Sequence, residues 1–161
     1  MEYFCFLNSP IGELTLVSNG KSLVELIFGK VEMEGLTNNE NLEIFKQTKN
    51  WLSRYFKGEK PLPSELNLEP FGSPFRKKVW EALLKIPYGK TKSYKEISEI
   101  VLPNKKMAAR AVGGAISKNP IPIIIPCHRV IGSNGKLTGF SGGIEKKIFL
   151  LNHENAQFKG E

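Results

Sequence analysis

The sequence predicts a mixed α/β protein of the α+β kind, with a small amino-terminal antiparallel sheet and helix followed by a mainly helical domain. Two patterns support this prediction. Short apolar segments alternate with turn residues over positions 3–28, whereas apolar side chains recur at helical spacing from position 40 onward. A segment rich in Pro, Lys and Glu over 57–70 is the best linker candidate, so we expect domains at 1–68 and 69–161.

The first domain is predicted to form three strands, at residues 3–7, 14–18 and 23–28. The dipeptide Asn19-Gly20 before the third strand favours a tight hairpin turn with positive φ. Residues 40–57 show helical spacing, and Gly58 is the expected stop. The aromatic side chains of this helix are predicted to be core residues that pack the helix on the sheet.

Helices dominate the second domain. Ser73 and Pro74 are typical of an N-cap and a first helical residue. Ser93 and Glu96 fit a capping box that starts a further helix, and another helix is predicted over 105–117. Two short helices joined by a tight turn indicate a helix-turn-helix, here of a winged-helix-like domain.

The second helix of this pair has an unusually bare surface around a single long side chain, Arg110. The small residues that surround it are Ala108, Ala109, Ala111, Gly113, Gly114 and Ala115. Each helical glycine lowers helix stability by about 1 kcal/mol relative to Ala, so a structural or functional reason for this composition is expected. Close helix packing is one reason, and a slim helix that enters a narrow groove with Arg110 as a probe is the other.

Charge is distributed unevenly along the chain. Residues 1–68 carry 7 Lys/Arg and 9 Glu, whereas residues 69–161 carry 16 Lys/Arg and 7 Glu, within an overall net charge of +7. A basic half beside a slightly acidic half suggests a polyanionic partner such as nucleic acid. The sequence has no apolar run long enough for a bilayer and no signal-peptide pattern at its start, and its two cysteines lie far apart. We therefore expect a cytoplasmic protein without membrane attachment.

Cys127 is the candidate nucleophile. Pro122 and Pro126 bracket an apolar segment predicted to be a strand, and His128 follows the cysteine at once. A reactive cysteine needs a neighbour that lowers its pKa or takes its proton. Because consecutive side chains diverge, a bridging water would have to relay the proton to His128. These residues alone leave a buried, inert cysteine equally open.

A histidine base works better when a carboxylate holds its other ring nitrogen. His153 and Glu154 lie near the end of a final apolar stripe, and either could reach the site from a last helix. Cys5, by contrast, lies in the first predicted strand with no nearby histidine and is expected to be structural.

The run Ile-Pro-Cys-His-Arg-Val at 125–130 resembles the signature of the O6-alkylguanine-DNA alkyltransferases, the methylated-DNA–protein-cysteine methyltransferases. The similarity extends from about residue 71 to 154 and also takes in the segments 93–94, 108–115, 119–120, 141–143 and 150–154. The amino-terminal half resembles the variable domain of this family in outline.

The resemblance implies a role for each matching position. Cys127 would accept the alkyl group, with His128 as the base acting through water and Glu154 orienting the imidazole. Asn119 would hold the local turn, and Tyr94 would donate toward N3 of the leaving guanine. No step cleaves the resulting thioether, so the resemblance implies one turnover per molecule.

The resemblance also implies double-stranded DNA carrying O6-alkylguanine as the partner, with O4-alkylthymine as a second candidate substrate. The small-residue helix would lie in the minor groove, and Arg110 would fill the gap left by the extruded nucleotide. The other residues expected near the DNA or the base are Ala109, Gly113, Val130, Phe140 and Ser141. A monomer in solution and no cofactor are expected. No metal is expected either, because only Cys5 and no histidine precede His128, whereas some relatives carry a zinc site in the first domain.

One departure from the family pattern is Phe140, which stands where members often have Tyr. Three other functions stay open: a protein that binds lesions without repair, a cysteine hydrolase of amides or esters, and a DNA-binding regulator with Cys127 as a sensor. The first commonly lacks the acceptor cysteine, and the second would not need the basic helix pair. The third resembles relatives that carry an additional domain.

Overall fold

The computed structural model describes residues 1–103, 108–137, 139–140 and 142–158. The chain divides into two compact units, Met1–Phe71 and Gly72–Glu161. The division falls three residues beyond the predicted boundary at 68. The reason is that the backbone N–H groups of Leu23 and Glu69 donate hydrogen bonds of 2.9 Å to the carbonyls of Asn67 and Leu23, which attaches the linker candidate to the first unit.

A four-stranded sheet with strand order β3-β2-β1-β4 builds the first unit. Its strands are β1 (Tyr3–Ser9), β2 (Gly12–Ser18), β3 (Leu23–Phe28) and β4 (Thr37–Asn38). β1 pairs with β2, and β2 with β3, in antiparallel fashion, and the short β4 lies parallel to β1. The three predicted strands are thus present, whereas β4 is too short to leave a periodic pattern in the sequence.

The predicted turn between β2 and β3 spans four residues. Gly20 has a φ of 103°, and the Asn19 side-chain oxygen accepts hydrogen bonds from the backbone N–H groups of Lys21 and Ser22. The helix α1 (Glu43–Phe56) contacts all three long strands and buries Trp51 and other aromatic side chains as predicted. Gly58, at a φ of 87°, follows its end.

The second unit is mainly helical. Its helices are α2 (Pro74–Leu84), α3 (Tyr94–Val101), α4 (Ala108–Ser117) and α5 (Ile144–His153), and its two short strands are β5 (Lys92–Ser93) and β6 (Val130–Ile131). Helices α2, α3 and α4 contact one another around buried apolar residues such as Val79, Leu83, Ile97 and Val112. The predicted start of α4 at residue 105 lies outside the described residues.

Both predicted helix starts have the expected caps. Ser73 Oγ accepts a hydrogen bond from the Arg76 N–H at 3.2 Å, and Pro74 follows it. At α3, Ser93 Oγ accepts from the Glu96 N–H at 3.0 Å, while the Glu96 carboxylate accepts from the Ser93 N–H at 2.9 Å. This capping box fixes the first residue of α3, which is Tyr94.

The prediction of a strand between Pro122 and Pro126 is wrong, because these residues belong to a buried turn that leads into a short 3₁₀ turn at Cys127–Arg129. Two prolines remove N–H donors that a strand would need for pairing. The Asn119 side chain instead closes the turn by accepting from the Ile121 N–H at 3.0 Å and donating to the Ile125 carbonyl at 2.8 Å. Ile123 adopts a φ of 73°, a strained value for a β-branched residue.

Within the described ranges, none of the helices has the length and apolar character needed to cross a membrane.

Candidate active site

Cys127 lies on the wall of a cavity of about 480 Å³ in the second unit. The other lining residues come from α3, α4 and the segment before α5, namely Tyr94, Gly113, Ile116, Ser117, Gly139 and Phe140. Cys127 itself is only 5% exposed. The volume is within the range of small-molecule pockets.

The surroundings of the Cys127 thiol oppose its ionisation. Burial raises the pKa of Cys127 to about 11. A hydrogen bond from Asn119, the charge of Lys147 and the backbone N–H groups of Cys127 and His128 oppose this increase. At neutral pH the free thiol is therefore protonated, and its activation requires a base.

His128 is fully buried directly after the cysteine, and its Nε2 lies 2.7 Å from Oε2 of Glu154. Burial lowers the pKa of His128, and the hydrogen bond to Glu154 only partly offsets this. A neutral imidazole that donates from Nε2 to the carboxylate keeps a lone pair on Nδ1. Nδ1 has no hydrogen-bond partner among the described residues, so it is the ring atom that can take a proton.

Glu154 forms hydrogen bonds with several residues of the site. Its Oε1 accepts from Arg129 Nε at 2.8 Å and from the Gly89 N–H at 3.0 Å, and its Oε2 accepts from Arg129 Nη2 at 3.0 Å in addition to the contact with His128. Burial alone would raise the pKa of Glu154, but the hydrogen bonds and charges of His128 and Arg129 outweigh it and hold the pKa far below its usual range. Glu154 is therefore a carboxylate at every physiological pH.

Arg129 was not predicted as a site residue. It is buried, holds both oxygens of Glu154, and donates from Nη1 to the Ile86 carbonyl at 2.7 Å. Its guanidinium carbon lies 5.8 Å from the centre of the Tyr88 ring. The only sequence signal was its position two residues after the nucleophile, because nothing local tells a buried arginine from an exposed one.

Lys147 is the second residue that the sequence did not point to. Its side chain is completely buried on α5, and Nζ donates to the Val130 carbonyl at 2.6 Å. Burial lowers the pKa of Lys147 to about 8, and the nearby Cys127 opposes that decrease. The apolar stripe of α5 predicts a core-facing helix, but not that a lysine shares the core-facing side.

The remaining predicted residues differ in where the structure places them. Tyr94, Gly113 and Phe140 line the cavity with Cys127, and Asn119 braces the turn before it. Val130 is buried and presents its carbonyl to Lys147. Ala109 and Arg110 are exposed on α4 away from the cavity lining, and Ser141 lies outside the described residues.

Of the two candidates for holding His128, Glu154 is the one in contact. The His153 ring centre lies 6.3 Å from that of Tyr88, and its carbonyl accepts from the Tyr88 hydroxyl at 3.4 Å. The described ranges contain no group of three His, Cys, Asp or Glu side chains that could hold a metal ion.

Comparison with known proteins gives a consistent result. The DNA-binding domain of 6-O-methylguanine DNA methyltransferase matches residues 74–156, and the ribonuclease-like domain of the same family matches residues 3–70. A methylated-DNA–protein-cysteine methyltransferase of Methanosarcina barkeri is 47% identical over 156 residues, which cover 94% of this chain and 96% of the relative. The constitutive methylated-DNA–protein-cysteine methyltransferase of Bacillus subtilis is 40% identical over 166 residues, or 99% of each chain.

Solved structures agree with the sequence relatives. Mycobacterium tuberculosis OGT in complex with DNA superposes with a TM-score of 0.86 at 42% identity, covering 95% of this chain and 92% of that one. A second structure, of the O6-methylguanine methyltransferase of Mycobacterium tuberculosis, gives a TM-score of 0.84 at 42% identity, covering 96% and 93%. The predicted resemblance is confirmed: the chain belongs to the 6-O-methylguanine DNA methyltransferase family, whose members are the methylated-DNA–protein-cysteine methyltransferases.

Proposed function

We propose that this protein repairs DNA by direct reversal, moving the alkyl group of O6-alkylguanine to Cys127 in a single turnover. The observation that carries the proposal is the position of Cys127 on a cavity wall next to a buried histidine–carboxylate pair, in a chain of this family. O4-alkylthymine is a second candidate substrate, because it presents the same bond between an alkyl carbon and a base oxygen.

The first step is removal of the thiol proton. The proton passes through a water molecule to Nδ1 of His128, which becomes an imidazolium. Glu154 stabilises that cation at 2.7 Å and, by accepting from Nε2, keeps the basic nitrogen directed away from itself. Asn119 then donates to the sulfur and favours its charged form.

The second step is in-line displacement. The thiolate of Cys127 forms a bond to the O6-bound carbon while the bond from that carbon to O6 breaks, and the electron pair passes into the purine. The purine anion takes up a proton, so overall the thiol hydrogen replaces the alkyl group. Tyr94, which lines the cavity, donates toward N3 and stabilises the leaving anion.

The base must leave the helix to reach this cavity, which costs a few kcal/mol. We assign α4 to the minor groove, because Ala109 and Arg110 are exposed on a helix whose other side packs on α2 and α3. Arg110 occupies the gap in the stack, and Gly113 leaves room where the helix borders the cavity. Backbone groups near Cys127 and Val130 contribute to reading the base, and Ser141 is assigned to the cavity rim; both assignments come from the resemblance alone.

Incubation with a duplex containing radiolabelled O6-methylguanine tests the function. We expect the label to move to the protein in about one-to-one amount, and peptide mapping to find one added methylene on Cys127 and none on Cys5, which is fully buried. Binding of the duplex without transfer would instead support a lesion sensor or regulator. Repeated hydrolysis of a small ester without DNA would support a cysteine hydrolase.

Arg110→Ala is expected to slow transfer from duplex DNA by about tenfold, because the extruded state loses the side chain that fills its gap, worth on the order of 1 kcal/mol of the extrusion cost. Transfer from free O6-benzylguanine should keep its rate, because no extrusion is needed. Single-turnover kinetics on both substrates measure the difference. An equal loss on the free base would contradict this role of Arg110.

Three finer points complete the proposal. The first domain, 1–68, supports the second, 69–161, which carries the acceptor and the DNA contacts. We propose a monomer in solution, which sedimentation velocity checks, and a cytoplasmic location, which cell fractionation checks. Both cysteines are free thiols in the structure, which fits a reducing compartment.

A further inference from the structure

The turn at residues 86–89, directly after α2, binds both partners of the buried ion pair through its backbone. The carbonyl of Ile86 accepts from Nη1 of Arg129 at 2.7 Å. The N–H of Gly89 donates to Oε1 of Glu154 at 3.0 Å. A carbonyl is thus directed at the cation and an N–H at the anion, and hydrogen bonds to ionised groups are stronger than those between neutral ones. The turn therefore helps to hold the ion pair, besides joining α2 to β5.

The turn itself is fixed from several sides. The N–H of Lys90 donates to the carbonyl of Pro87 at 3.1 Å. The hydroxyl of Tyr88 donates to the carbonyl of His153 at 3.4 Å. Shortly beyond the turn, β5 pairs in parallel with β6, the strand that follows the 3₁₀ turn of the nucleophile. The N–H of Gly89 therefore has a defined position relative to the reacting segment.

Glycine fits position 89 for two reasons. Its φ of 78° is in the left-handed region, and a Cβ at this position would lie 3.1 Å from the backbone carbonyl oxygen of Glu154. That distance is shorter than ordinary van der Waals contact, so an added side chain would push the two backbones apart. The hydrogen bond from the Gly89 N–H to Oε1 would then lengthen. The missing side chain thus permits the close approach on which this bond depends.

This bond affects which carboxylate oxygen faces the base. The N–H of Gly89 and Nε of Arg129 both bind Oε1, whereas Oε2 lies 2.7 Å from Nε2 of His128. The titratable and charged groups around the carboxylate are His128 and Arg129 on the 3₁₀ turn and Tyr88 on the turn after α2. Without the Gly89 bond the carboxylate can shift toward Arg129. The imidazole would then lose the partner that keeps its proton on Nε2.

We propose that Gly89 is a positioning residue for the alkyl transfer, whose backbone N–H fixes the Glu154 carboxylate so that Oε2 holds His128 in the reactive tautomer. The inference rests on the proposed function, because the tautomer serves the relay of that reaction. Gly89 exchanges no proton: the thiol proton goes to Nδ1 of His128, the sulfur–carbon bond forms, and the carbon–O6 bond breaks. Its N–H acts only through Glu154.

Replacement of Gly89 by glycolic acid, introduced through a suppressor tRNA, tests the inference without DNA. The change turns the amide between residues 88 and 89 into an ester, which removes the N–H and adds no side chain. We expect alkylation of Cys127 by iodoacetamide to slow about tenfold at neutral pH, and its pH profile to move to higher pH, because a misplaced carboxylate stabilises the His128 imidazolium less well. The ¹⁵N resonances of the ring should show the tautomer with the proton on Nδ1 becoming populated.

The same replacement at Gly58 is the matched control. Gly58 has a φ of 87° and lies in the first unit, and its N–H donates to the Tyr55 carbonyl at 3.0 Å. The control therefore loses one backbone donor at a similar φ and should keep the wild-type tautomer and pH profile. Peptide mapping assigns the alkylation to Cys127 rather than Cys5, and thermal unfolding identifies variants that have lost the fold.

Gly89→Ala is a second variant, which keeps the N–H and adds the Cβ that meets the Glu154 carbonyl oxygen. It should shift the tautomer and the pH profile in the same directions, and it keeps the inference testable if the ester protein does not fold. Gly58→Ala introduces similar backbone strain, but its Cβ would meet no heavy atom within 4 Å among the described residues beyond its chain neighbours. It should leave both readouts unchanged.

A merely structural turn residue would alter stability without changing the tautomer or the pH profile. Folded position-89 variants that keep the wild-type tautomer and profile therefore overturn the inference. Equal shifts in the Gly58 variants overturn it as well, because the shifts would then come from a general loss of stability. If both readouts shift as expected but labelled DNA transfers nothing, the proposed function fails while the role of Gly89 stands.

Discussion

Glu154→Gln is expected to slow alkyl transfer by about two to four orders of magnitude. Oε1 of Glu154 accepts from Arg129 and from the Gly89 N–H, so the glutamine will keep its carbonyl oxygen there. Its NH₂ group then faces Nε2 of His128 and forces that nitrogen to accept. The proton moves to Nδ1, which is the nitrogen that must take the thiol proton, and the base is lost through the wrong tautomer.

Single-turnover transfer from O6-methylguanine DNA measures this loss, at a temperature where thermal unfolding shows both proteins folded. The ¹⁵N resonances of the His128 ring report the tautomer directly. Glu145→Gln, an exposed change on α5, the helix that precedes Glu154, is the matched control and should keep the wild-type rate. A Glu154→Gln protein that transfers at the wild-type rate would show that the carboxylate plays no part in the relay.

Arg129→Met is expected to lower the free energy of unfolding by about 3–5 kcal/mol, because it leaves the charge of Glu154 buried without its strongest partner. The guanidinium binds both carboxylate oxygens and the Ile86 carbonyl, so Lys at this position cannot replace it. Urea denaturation measures the change.

Arg110→Met removes an exposed arginine from the same unit and is the control, with an expected change within about 0.5 kcal/mol. The double variant Arg129→Met with Glu154→Leu removes both charges and should recover part of the stability. If Arg129→Met alone unfolds no more easily than Arg110→Met, the ion pair contributes nothing to the fold.

Local signals in the sequence were enough to predict most of the fold. Strand-length apolar segments, the turn dipeptide Asn19-Gly20 and the caps at Ser73 and Ser93 each depend on a few neighbouring residues, and all are present in the structure. The segment between Pro122 and Pro126 was wrongly predicted as a strand, because a short apolar run is also typical of a buried turn. The turn is closed by the side chain of Asn119. Its hydrogen bonds to the backbone of Ile121 and Ile125 cannot be read from hydrophobic periodicity.

The candidate site, too, was predicted only in part from the sequence. Cys127 and His128 form a contiguous motif, and the resemblance supplied Glu154 at a distance. Arg129 and Lys147 were missed because their importance comes from burial beside other segments, and burial of a single charged residue is a property of tertiary packing. Only the structure brings Lys147 to the carbonyl of Val130.

The bonds of Glu154 join three stretches of chain, at residue 89, at residues 128–129, and at its own position after α5. These are contacts of long sequence separation, which form late when a chain folds or is synthesised from its amino terminus. A ribosome-bound chain that has already exposed Cys127 still has no relay to activate it. The relay from Cys127 is therefore complete only when the carboxyl-terminal helix has docked and has brought Glu154 to His128.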